Sequence, residues 1–105
     1  MQQPNLKYIN QLADGNPLIK ERLITVLKSE FPEEVSIYDR NIINLDFIEA
    51  AESVHKIRHK IALLGLEKDY LLCQTYENNL RKNDTQFQNE FKRILDKISE
   101  FIENI

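Results

Sequence analysis

Residues 17–43 read PLIKERLITVLKSEFPEEVSIYDRNII, and the fold turns on whether Pro32 divides them. Ile19, Leu23, Leu27, Phe31, Val35, Tyr38, Ile42 and, just beyond, Leu45 recur every three or four residues, the spacing of one helical face. A proline inside a helix removes a backbone bond and crowds the preceding turn. Here the apolar stripe keeps its phase across Pro32, so the spacing predicts one long helix, kinked at that residue, rather than two helices.

Outward from this element the same period repeats. Toward the N-terminus, Leu6, Ile9 and Leu12 mark a short helix over 5–13. The turn DGNP follows, with Gly15 suited to a left-handed cap, Asn16 to an N-cap and Pro17 to a first turn. Toward the C-terminus, Asp46 can cap a helix over 46–64 whose stripe is Phe47, Ala50, Val54, Ile57, Ile61 and Leu64, and Gly65 ends it. A fourth helix, 67–82, would bury Leu72, Cys73, Tyr76 and Leu80. Asp84 is the expected N-cap of the last, 85–104, where Phe87, Phe91, Ile94, Leu95, Ile98, Phe101, Ile102 and, just beyond, Ile105 give the cleanest amphipathic pattern. Strict alternation of apolar and polar residues is hard to find. The fold class expected is all-α, an antiparallel up-down-up-down four-helix bundle with a short N-terminal extra helix.

The totals fit this and narrow the function. The chain has 105 residues, of which 42% are apolar and 30% charged, which suits one soluble globular domain over 1–105. A formal charge of −3 supplies no basic field for nucleic acid. No apolar run is long enough for a membrane span. No signal peptide is evident, and a lone cysteine, Cys73, rules out an internal disulfide, so the expected setting is cytoplasmic. The stripes look fully used by one bundle, which makes a monomer the default.

The chemistry-bearing stretch is VHKIRHKIALLGL, residues 54–66, which holds both histidines of the chain. On a helix whose core stripe centres near Val54 and Ile61, His55 falls at the edge of the buried face. Ile48, Ala62 and Leu66 project the same way. His59 lies one turn on, toward solvent, and Arg58 should extend its charged head outward. Lys56, Lys60 and Leu63 should face away. A half-exposed imidazole in an apolar patch with cations beside it suits transient contact with an anionic group. The pair His55 and His59 has the spacing of a zinc-binding pair, but two ligands do not make a site, and Arg58, Lys56 and Lys60 would repel a cation. No metal is therefore expected. Cys73 reads as a small core residue, and no glycine-rich phosphate cradle is present.

Taken together, His55, Ile57, Arg58, Leu64, Gly65 and Leu66, followed by LLCQTYE with Leu72, Cys73, Tyr76 and Glu77, resemble the signature of the histidine-containing phosphotransfer (HPt) domain family. The stretch YINQLADGNPLIKERLITVLKSEFPEE is similar to the family's opening, so the resemblance covers nearly the whole chain. It implies a phosphocarrier. His55 would accept a phosphoryl group from the phospho-aspartate of a receiver domain and pass it to another receiver aspartate. Arg58 and Lys56 would serve as counter-charge. Partner contacts would come from Ile48, Glu52, His59, Ala62, Gly65 and Leu66. No cofactor would be bound, Mg²⁺ would come with the receiver, and the chain would not use ATP. One position departs from the family: His59 stands where a small residue is usual. An imidazole there could crowd the site, orient His55 or narrow partner choice. Two other readings stay open, a helical docking module for receivers that transfers nothing and a structural bundle with a metal pair.

Overall fold

A computed structural model describes residues 2–105. Its elements are all helical: α1 (Lys7–Ala13), α2 (Pro17–Ile43), α3 (Phe47–Leu63), α4 (Glu67–Leu80) and α5 (Gln88–Glu103). They pack around one apolar core in a body of 44 × 23 × 19 Å.

The long helix α2 runs unbroken through Pro32. Pro32 is exposed, as is Lys28 one turn before it, so water can hydrate the Lys28 carbonyl that the proline leaves without a donor. Asn16 caps α2 by accepting from the backbone of Leu18 at 3.0 Å, with Pro17 as its first residue. Leu27, Phe31 and Tyr38 are buried, whereas Ile19 and Leu45 at the ends of the stripe are 40% and 71% exposed. Leu12 is exposed as well. The apolar stripes are thus not wholly consumed by the core.

The helix α3 is central. It packs most extensively against α4 and α2, and Ala50, Ala51, Val54, Ile57 and Ile61 are fully buried. Asp46 caps it, accepting from Glu49 N at 3.3 Å. Gly65, at φ +77°, turns the chain into α4. Cys73, Tyr76 and Leu80 of α4 meet Phe91, Leu95 and Ile98 of α5 in the core. Tyr38, Tyr76 and Phe91 form an aromatic cluster, with Tyr38 edge-on to Phe91 at 4.9 Å between centroids. The Tyr38 and Tyr76 hydroxyls bond each other, which satisfies both polar ends in the interior.

Several expectations need correction. The last helix begins at Gln88, three residues later than expected, and its N-cap position is Phe87 at φ +75°. Asp84 instead accepts from Gln86 N at 2.8 Å, closing a local turn of the kind that competes with helix entry. The helix α4 ends at Leu80, because residues 81–83 form turns and Asn83 takes φ +61°. The first helix starts at Lys7, after Asn5 has already bonded the Lys7 backbone through its side chain at 3.0 Å.

Residues 2–5 form a strap over the α3–α4 joint. Asn5 N donates to Leu64 O at 3.0 Å, Lys68 N donates to Gln2 Oε1 at 2.9 Å, and Pro4 is buried. Lys97 on α5 donates both to Gln2 O at 2.8 Å and to Asp69 at 2.7 Å. The strap thereby joins three segments at the end of the core where α3 hands over to α4.

Candidate functional site

His55 sits in the middle of α3, with its backbone held by a helix whose inner face is fully buried. Its side chain is 45% exposed, as expected for a residue at the core edge. What the imidazole faces inward is a carboxylate from the neighbouring helix: Glu77 Oε1 lies 3.3 Å from His55 Nδ1. Glu77 is only 7% exposed. A buried carboxylate needs partners, and it has them in Arg58 at 3.4 Å and Arg81 at 3.2 Å.

Arg58 Nη2 also lies 3.3 Å from His55 Nδ1. The guanidinium can only donate and the carboxylate can only accept, so one proton decides the arrangement. With the proton on Nδ1, the imidazole donates to Glu77. Arg58, a charged donor at the same distance, favours the opposite tautomer, in which Nδ1 accepts and Nε2 carries the proton; the Nδ1–H form is the one that leaves the Nε2 lone pair directed away from Glu77. An imidazole held in this way is a nucleophile on its outer nitrogen.

Arg58 departs from expectation. It does not extend its head outward. Its side chain is 15% exposed, and the guanidinium rests over the Tyr70 ring at 5.2 Å while facing Glu77. The Glu77 carboxylate and the Tyr70 ring face give the inward guanidinium its partners. Its Nε is buried without a hydrogen-bond partner. Lys60 likewise does not face away: it packs between α3 and α2, 2.9 Å from Glu30 and 3.1 Å from Glu34. Burial pulls the Lys60 ammonium toward the neutral form, but the two carboxylates outweigh it and raise its pKa. Lys56 is exposed.

The residues expected to form a partner face share one surface in part. Ile48 is 51% exposed, seven residues before His55, and Ala62 is exposed seven residues after it. Both therefore share its face, about two turns away on either side. His59 is exposed and its ring stands edge-on to that of His55, with centroids 5.4 Å apart. Glu52 is exposed and bonded to Arg81 at 2.8 Å; this bond holds its carboxyl below the usual range. Leu66 is not part of the face. It is fully buried, because the positive φ of Gly65 ends the helical phase and turns Leu66 inward as the residue that opens α4. Gly65 itself lies under the Asn5 side chain, where a Cβ would come within 2.7 Å of its amide nitrogen.

Glu77, Arg81 and Tyr70 therefore belong to the site. In the sequence Glu77 stands out only within LLCQTYE, the stretch that carries the family resemblance; its burial on α4 beside Tyr76 is added by the structure. Among the described residues no group of three or more metal-ligating side chains gathers, and no helix is long and apolar enough to cross a membrane. Compared with known proteins, the chain matches no family model, no curated protein and no solved structure.

Proposed function

We propose that the chain is a histidine phosphotransfer domain, a phosphocarrier between receiver domains in a cytoplasmic phosphorelay. The observation that carries this reading is the half-exposed His55, mid-helix, whose inner nitrogen is backed by the buried carboxylate of Glu77. An antiparallel up-down arrangement of α2–α5 is part of the proposal and accords with the short joints between them.

In this reading a receiver domain bearing a phospho-aspartate docks on the face of α3 marked by Ile48, His55, His59 and Ala62. His55 Nε2 attacks phosphorus in line. The Nε2–P bond forms as the P–O bond to the aspartate breaks, and the receiver carboxylate leaves. The positive charge that develops on the ring is met by Glu77 across the Nδ1 proton. Transfer of this kind depends on positioning and charge stabilisation, and a helix locked by its core supplies the positioning. Lys56 is an exposed cation next to His55 in the chain. Arg58 acts through Glu77 rather than on the phosphoryl oxygens. Mg²⁺ comes with the receiver, and the carrier uses no ATP of its own.

The second reading is a docking module that transfers nothing. The observation that favours it is the edge-on contact of His59 with His55, which puts a second ring where a small residue would leave space. Incubation with phosphorylated receivers and Mg²⁺ separates the two. The carrier gains acid-labile, base-stable phosphate in the wild type and not in His55→Gln. Receiver binding without phosphate on either protein would favour the docking module. Equal labelling of both proteins would move the acceptor away from His55.

A further inference from the structure

We propose that His55 and His59 together chelate a divalent transition-metal ion of the zinc, nickel or copper class, and that the bound ion caps the outer nitrogen of His55. The capping has regulatory meaning only under the phosphocarrier reading, whereas the chelation stands apart from it.

The first ground is geometry. The two histidines are one helical turn apart on a rigid element, and their rings lie 5.4 Å apart between centroids. Two imidazoles sharing a tetrahedral ion with metal–nitrogen bonds of about 2.1 Å have centroids about 5 Å apart. The pair is therefore close to chelating distance, and rotation of the exposed His59 ring supplies the rest.

The second ground is what stands behind His55. Metal-binding histidines characteristically donate their other N–H to a carboxylate, which fixes the ring and raises its basicity. Glu77 occupies that position at Nδ1, 3.3 Å away. Arg58 Nη2 lies at the same distance from Nδ1, so Nε2 is the nitrogen available to an ion when Nδ1 donates to Glu77, the same atom and the same tautomer that phosphoryl transfer would use.

The third ground is charge. From the sequence, Arg58, Lys56 and Lys60 together argue against a cation. In the structure, Arg58 is paired with Glu77 and Lys60 with Glu30 and Glu34. Arg81 is paired with Glu52 and Glu77. The field at the two rings is thus far less positive than the residue count suggests, and among the described residues Lys56 is the neighbouring cation without such a pair. With two protein ligands, water completes the coordination. A site this open ranks metals by intrinsic affinity, copper above nickel and zinc.

The test is a calorimetric titration of the full chain with zinc and with nickel, on the wild type, His55→Gln and His59→Gln. It is paired with carbethoxylation of His55 by diethyl pyrocarbonate, read by mass spectrometry with and without metal. One ion per chain is expected. Each substitution should weaken binding roughly tenfold or more, because the second ligand of a chelate binds at high effective concentration. In the wild type, metal should slow carbethoxylation of His55; in His59→Gln at the same metal concentration it should not. Equal affinity in the wild type and either variant would overturn the chelate. Binding without protection of His55 would overturn the cap. Neither measurement uses a receiver, so absence of phosphoryl transfer would count against the carrier reading alone.

Discussion

At the scale of single residues, Glu77 carries the most weight after His55. Exchange for glutamine keeps the shape and removes the charge, so the preference for Nδ1–H is lost. Under the phosphocarrier proposal, transfer to Glu77→Gln should fall by roughly 10- to 100-fold, the range typical for loss of the carboxylate behind a metal-binding histidine. The readout is the rate of phosphate gain, with unchanged helical circular dichroism as the control. Glu77→Ala should also lower stability by on the order of 3 kcal/mol, since it strips the carboxylate from the half-buried Arg58, and urea unfolding would measure it. The position of His55 and the exposure of its neighbours were legible in the sequence because one helix phase governs Ile48, His55, His59 and Ala62. The inward turn of Arg58 was not, because its partner lies on another helix, 19 residues on. The burial of Leu66 is hidden for a related reason: the phase of α3 does not carry past Gly65, where a left-handed residue resets it.

At the scale of elements, the two glycines make a matched pair. Gly15 and Gly65 have φ of +78° and +77°, but a Cβ at Gly15 would meet nothing, whereas at Gly65 it would strike Asn5. Gly15→Ala should therefore cost about 1 kcal/mol, the strain of the left-handed region alone. Gly65→Ala should cost distinctly more and shift the strap, as the two denaturation midpoints would reveal. Helix existence was readable throughout, since long 3.6-residue periods are hard to mistake, and α2 kept its phase across Pro32 for the same reason. The entry to α5 was not. A cap is decided by competition between local turns, and Asp84 has a nearer donor in Gln86 than any in the helix.

At the scale of the whole molecule, the core holds groups that resist losing protons. Burial first, then the Tyr76 hydroxyl, raises the pKa of Tyr38; burial raises that of Tyr76; and burial pushes the Cys73 thiol up to about 12. A raised value in the folded state means that the unfolded chain releases its proton first. The stabilisation is complete below the ordinary values of 9.0 for cysteine and 10.0 for tyrosine and is lost as pH rises beyond them. Lys60, raised above 10.5, adds loss in the same direction. The urea midpoint should therefore decline progressively above pH 9; a flat midpoint up to pH 11 would contradict the buried protonated cluster. The strap has a different consequence, one of time rather than strength. Neighbouring helices meet across short loops, but the strap joins Gln2 to Lys97 and Asn5 to Leu64, and contacts so distant along the chain close only after the ring they span has been drawn together. The strap should form after the rate-limiting step. Deleting residues 2–5 should then hasten the escape from the native state while leaving the refolding limb of the chevron nearly where it was.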